Sequence, residues 1–130
     1  MGLTYLWDTN TVIYYLQQQL PPGAEKFIDS TLTESPPAIS VITEMELLCW
    51  KTSTEKDLEV LNNFISETFV IELDREIKLK TAELRKAYRI KLPDAIIAAT
   101  ALVNKQILIS RNISDFKEIN GLSVVNPWEM

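Results

Sequence analysis

Four acidic residues stand in four short pieces of this chain that backbone geometry would gather at one place: Asp8 in Leu-Trp-Asp-Thr-Asn, Glu46 in Ile-Thr-Glu-Met-Glu-Leu-Leu, Asp94 in Leu-Pro-Asp-Ala-Ile-Ile, and Asp115 in Arg-Asn-Ile-Ser-Asp-Phe. Asp8 follows an apolar strand-like run, and Asp115 follows another, Gln106 to Ser110. Glu46 and Asp94 each fall in the first turn of an expected helix. In an α/β sheet the carboxyl ends of parallel strands and the starts of the following helices share one edge, where sites form. Carboxylates collected there repel one another unless a dication neutralises them. The pattern predicts a Mg²⁺ or Mn²⁺ site suited to phosphodiester chemistry.

What the chain lacks narrows the chemistry. It has no histidine, so Ser-His-Asp and Cys-His nucleophile systems are excluded, as is histidine-ligated zinc. Its one cysteine, Cys49, rules out an internal disulfide and a multi-cysteine zinc cluster. Three glycines leave no room for a P-loop or a dinucleotide fingerprint. Any catalysis then falls to carboxylates and an oxygen-seeking metal. No basic leader and no apolar run long enough to span a bilayer is visible, which points to a cytoplasmic address.

The elements that would position the acids alternate between strand and helix. Leu3–Trp7 reads as a strand and Asn10–Gln18 as a helix; after Pro21-Pro22-Gly23 comes a helix over Ala24–Leu32. A short buried strand, Ala38–Ser40, precedes a helix over Thr43–Trp50, with Thr43 as N-cap and Glu46 completing a capping box. The same capping register favours Glu46 over its neighbour Glu44. Thr54–Glu67 is a helix, Phe69–Leu73 a strand, Asp74–Tyr88 a helix, and Pro93 opens a helix to Asn104. Ile107–Ser110 and Ser123–Val125 complete the strands. Short apolar strands alternating with helices predict an α/β fold, a three-layer α/β/α sandwich around a short, mainly parallel sheet.

Charge is distributed unevenly. The net charge is −5, yet residues 75–91 hold seven basic and two acidic residues and so carry +5, leaving −10 elsewhere. Within that segment Lys78, Arg85 and Arg89 recur at i, i+7 and i+11, one helical stripe that could follow an RNA backbone. Ile77, Leu84 and Tyr88 form a separate apolar stripe. A solvated helix face is the commoner explanation of such a run.

Taken singly, each acid has a structural explanation: Asp8 as a helix cap, Glu46 in its capping box, Asp94 against the helix macrodipole, Asp115 opening a short helix through Glu118. The conjunction is harder to explain so. Asp94 leads into Ala95-Ile96-Ile97-Ala98-Ala99, a helix with scarcely a polar face, and a carboxylate at the mouth of a buried helix is costly unless paired or metal-bound.

These residues carry a resemblance. Leu6-Trp7-Asp8-Thr9-Asn10, Ser40-Val41-Ile42-Thr43-Glu44-Met45-Glu46-Leu47, Leu92-Pro93-Asp94-Ala95-Ile96-Ile97-Ala98-Ala99 and Ser110-Arg111-Asn112-Ile113-Ser114-Asp115-Phe116 together resemble a PIN-domain ribonuclease of the kind that is the toxin of type II (VapBC-like) toxin–antitoxin pairs. The resemblance spans residues 1–130 as one PIN-like domain. It implies metal-dependent hydrolysis of RNA, with Asp8, Glu46, Asp94 and Asp115 as the acidic metal-site residues and Thr9, Ser110 and Asn112 as supporting polar side chains. It also implies a homodimer and a small antitoxin whose C-terminal part blocks the acidic pocket. The apolar residues Met45, Leu47, Leu48, Cys49 and Trp50 on the third helix fit a dimer or partner surface. The chain departs from the family pattern where Cys49-Trp50 replace a glycine after the glutamate motif. Two other classes stand beside this one: a non-catalytic PIN-fold module binding nucleic acid or protein, and a phosphatase using Asp8 as nucleophile. The latter usually needs a second aspartate two residues on, where Asn10 stands.

Overall fold

The computed structural model describes residues 4–51 and 54–130. Five parallel strands form one sheet in the order β3-β2-β1-β4-β5. The strands are β1 (Tyr5–Trp7), β2 (Ala38–Ser40), β3 (Phe69–Ile71), β4 (Ile107–Ile109) and β5 (Ser123–Val125). The helices are α1 (Thr9–Leu16), α2 (Pro22–Glu34), α3 (Val41–Leu48), α4 (Glu55–Glu67), α5 (Arg75–Ala87) and α6 (Leu92–Val103). Short 3-10 turns follow β4 (Ile113–Asp115) and β5 (Pro127–Glu129). Among the described residues no helix is long and apolar enough to cross a membrane.

Strand alternation produces the layers. Leu6, Ala38 and Leu108 face a core with Ile77 and Leu84 of α5 and Ile97 and Ala98 of α6. Their immediate successors Trp7, Ile39 and Ile109 face the opposite core, with Val12, Ile28, Leu47, Leu61 and Phe64 of α1 to α4. Side chains one residue apart on a strand point to opposite faces, so three-residue strands suffice to seal both. Every residue from Ala95 to Ala101 is buried, which explains why α6 has almost no polar positions.

Strand order sets where a site can form. From β1 the chain moves outward through β2 and β3, then crosses to the other side of β1 for β4 and β5. The reversal lies between β1 and β4, where flanking connections diverge and leave a crevice beyond the strand ends. Trp7 pairs with Ile109, so Asp8 and Ser110 are the next residues past the strands on either side of that crevice.

Most expected elements appear within a residue or two, and three differ in ways that matter. Helix α3 starts at Val41 with Ser40 as its cap, the Ser40 hydroxyl accepting from Ile42 N at 3.1 Å. Thr43 therefore lies inside the helix and Glu46 beyond its first turn, so the Thr43–Glu46 capping box does not exist. Helix α5 stops at Ala87 and Tyr88 caps it, so Arg89 is not on the helix and the Lys78–Arg85–Arg89 stripe is broken. Asp115 ends its 3-10 turn rather than opening a helix through Glu118. The expected first strand begins at Tyr5; Leu3 lies outside the described residues.

Candidate active site

Asp8 is both helix cap and buried acid. Its Oδ1 accepts from Thr11 N at 2.8 Å and its Oδ2 accepts from the Ser110 hydroxyl at 2.5 Å, with only 6% of the residue exposed. Burial raises the Asp8 pKa above the usual carboxylate value; the bonds from Ser110 and Thr11 pull it back, and the charge of Glu46 adds to the rise. Ser110 is held in turn, its Oγ accepting from Asn112 N at 3.0 Å.

The other acids arrive from three further elements. Leu6 pairs with Ala38, so β2 ends beside β1 and α3 rises directly next to α1. Glu46 thereby meets Thr9, whose hydroxyl lies 2.5 Å from Glu46 Oε1 and 3.1 Å from Thr43 Oγ1. A carboxylate can only accept, so the single Thr9 proton goes to Glu46 and the Thr43 hydroxyl supplies the other bond. Glu44 lines neither of the clefts described below, whereas Glu46 lines one of them, placed there by the face of α3 it occupies rather than by a cap. The loop after β4 brings Asp115, whose Oδ2 accepts from Asn112 Nδ2 at 2.6 Å.

Asp94, in the first turn of α6, completes the set. Its pKa is raised by burial first and then by the charges of Asp115, Glu46 and Asp8, with Lys91 opposing them. Three carboxylates from three other elements thus act on one half-buried carboxylate. All four acids line one cleft of about 400 Å³, together with Thr9, Asn10, Ile13, Trp50, Lys91 and Asn112 among others. An adjoining cleft of about 240 Å³ shares Lys91, Asp94 and Asp115 and adds Arg89, Ser114 and Glu118.

The structure therefore brings together Asp8, Glu46, Asp94 and Asp115, and gives each of Ser110, Thr9 and Asn112 a different acid to hold. Among the described residues no three acidic side chains converge tightly enough to hold a metal ion in these positions. Even so, four carboxylates, hard oxygen donors, around one cleft fit Mg²⁺ or Mn²⁺. Of the expected basic stripe only Arg89 reaches either cleft; Lys78 and Arg85 line neither, and the Arg85 guanidinium donates to Ile90 O at 2.9 Å. Lys91 was not singled out from the sequence, although a cation three residues before Asp94 at a helix start was a legible signal.

Residues 5–122 match the PIN domain family. The chain belongs to that family. This PIN domain is 28% identical over 130 residues to the tRNA(fMet)-specific endonuclease VapC of Salmonella typhimurium, covering 94% of this chain and 96% of that protein. Its fold is similar to that of VapBC from Salmonella typhimurium bound to DNA, with a TM-score of 0.81, 28% identity, and coverage of 97% and 99% of the two chains. It is also similar to a toxin–antitoxin complex from Klebsiella pneumoniae, with a TM-score of 0.71, 33% identity, and coverage of 98% and 100%. The sandwich and its parallel sheet are those of PIN-fold proteins.

Proposed function

We propose that this PIN domain is an endoribonuclease, the toxin of a toxin–antitoxin pair, that hydrolyses RNA phosphodiesters with a divalent cation. The observation that carries the reading is geometric: Asp8, Glu46, Asp94 and Asp115, from four elements, line one cleft, where burial first and then the charges of the other three raise the Asp94 pKa. The endonuclease activity named for the Salmonella relative supports it, and makes transfer RNA the first substrate to test. A non-catalytic module has no need to maintain four such carboxylates against their repulsion.

Asp8, Asp94 and Asp115 would hold Mg²⁺ or Mn²⁺, with Glu46 binding it directly or orienting a water. Such a cation, when bound, lowers the pKa of a water nucleophile and offsets charge on the phosphate and leaving oxygen. The remaining work belongs to the chain. Ser110 fixes the Asp8 carboxylate, and its bond favours the ionised form needed for ligation. Thr9 and Asn112 hold Glu46 and Asp115 at the cleft wall. Lys91 and Arg89 place positive charge beside the acids, where an RNA phosphate would otherwise be repelled.

The whole chain acts as one domain in this reading, in the cytoplasm and as a homodimer. Met45 and Leu48 on α3 are 48% and 59% exposed, an apolar surface that a second copy would cover. The toxin–antitoxin complexes among its structural relatives support a protein antitoxin as its partner. The test is incubation of a labelled transfer RNA pool with purified protein in Mg²⁺, Mn²⁺ or EDTA, beside Asp94→Asn. Internal cuts that need a cation and vanish in the variant are expected. Intact RNA under every condition would refute the reading.

A further inference from the structure

Immediately outside the acidic cleft lies a second cluster that the proposed hydrolysis does not use. Arg111 stands between Ser110, which bonds Asp8, and Asn112, which bonds Asp115. Its side chain is exposed, and its guanidinium carbon lies 5.5 Å from the ring centre of Tyr14 and 5.8 Å from that of Trp128. Its Nη1 donates to the Tyr14 hydroxyl at 3.1 Å, and the two rings meet edge-on with centres 5.4 Å apart.

The framework beneath this cluster is fixed from three directions. Asn126 Nδ2 donates to Arg111 O at 3.3 Å, while Asn126 Oδ1 accepts from Trp128 N at 2.9 Å. The turn bearing Trp128 packs on α2, where a Cβ on Gly23 would come within 2.6 Å of the Met130 carbonyl oxygen. Tyr14 lies one turn along α1 from Asn10, a residue of the acidic cleft, and so on the same helix face. Cleft and cluster are therefore continuous along α1 and along residues 110–112.

Arg111 makes no salt bridge among the described residues. A guanidinium has five N–H donors, and here one is engaged with a side chain. Arg111 is thus a cation set on two aromatic rings at the edge of the acidic cleft, with donors left for a ligand. Its chemistry matches one nucleotide: the guanidinium takes a phosphate, and the cation–ring surface takes an unpaired base.

We propose that Arg111, backed by Tyr14 and Trp128, is a binding subsite for an unpaired nucleotide of the RNA, next to the phosphate to be cut. The proposal rests on the ribonuclease reading. Arg111 acts here on binding and not on the chemical step.

The experiment measures binding of a fluorescein-labelled RNA stem–loop in EDTA, across a salt series, for wild type, Arg111→Gln and Trp128→Leu. Each variant is expected to bind about 5- to 150-fold more weakly, the range for loss of one base-stacking contact. Arg111→Gln should also flatten the slope of log affinity against log salt by about 0.7, one phosphate contact to a single strand. Replacing loop bases one at a time by abasic sites should weaken wild type at one position and leave Arg111→Gln insensitive there. Unchanged affinity, salt slope and abasic pattern in Arg111→Gln, with wild type binding and cutting this RNA, would overturn the subsite alone and leave the cluster as a clamp for the C-terminal turn or a protein contact. A wild type that neither binds RNA nor cuts it with Mn²⁺ would instead overturn the ribonuclease reading.

Discussion

Replacing Ser110 by alanine isolates a bond that opposes the burial-driven rise in the Asp8 pKa. The hydroxyl donates to Asp8 Oδ2 at 2.5 Å and accepts from Asn112 N at 3.0 Å, and Ser110 is fully buried. A hydrogen bond to a charged group contributes about 1.5–3 kcal/mol to stability, whereas one between neutral groups contributes about 0.5–1.5 kcal/mol. For a chain of 130 residues, an unfolding entropy of roughly 2.1 cal/mol/K per residue turns the larger range into about 6–11 °C of melting temperature.

The sign with pH follows from Asp8 itself. Its folded pKa is raised above 3.8, so the folded state takes up its proton first. The resulting stability is fully present below the unfolded value and is lost as pH rises through the folded one. The Ser110 bond limits that loss. Ser110→Ala should therefore raise the Asp8 pKa further, by about 1 unit for each 1.4 kcal/mol of charge-dependent bond lost. Melting in EDTA at pH 7.5 and near pH 4 reads this directly. The variant should be destabilised at both pH values, through Asn112 N, and more severely at pH 7.5. An equal deficit at both, or a larger one in acid, would refute the claim that Ser110 stabilises the ionised carboxylate.

Other consequences can be measured in the same way. Asp94→Asn should melt higher than wild type in EDTA at neutral pH, because it removes a carboxylate repelled by three others; a lower melting temperature would contradict this. Saturating Mn²⁺, at about 100 times its Kd, should stabilise wild type by about 2.7 kcal/mol and leave Asp94→Asn nearly unmoved in a thermal-shift series. Thr9→Val should lower cleavage about 10- to 100-fold, the range for removing a partner that orients a ligand, while circular dichroism stays native. Leu48→Glu should convert a dimer to monomer in sedimentation velocity, and a monomeric wild type at micromolar concentration would remove the dimer.

The fold was legible because each strand is a short apolar run bounded by turn residues, and Ala38–Ser40 and Ser123–Val125 are read to the residue. Asp8, Asp94 and Asp115 were legible together because strand ends and helix starts fall at one edge of a parallel sheet, whereas Glu46 reaches the cleft from beyond the first turn of α3. The start of α3 was not. Val41-Ile42-Thr43 is β-branched and locally favours a strand, yet the helix begins without a loop because Ser40 caps it. Helix α5 ends where Tyr88 turns to extended backbone, and the Tyr88 hydroxyl accepts from the distant Asn120 N at 3.1 Å. Arg111 and Tyr14 are 97 positions apart, so their meeting leaves no trace in local pattern.

The central claim is that four acids from four elements hold one cation-binding site. Calorimetric titration of Mn²⁺ into purified wild type, Asp8→Asn and Asp94→Asn tests it most directly. The account predicts saturable binding to wild type and at least about 10-fold weaker binding to each folded variant. Binding of equal affinity and stoichiometry by all three proteins would contradict it.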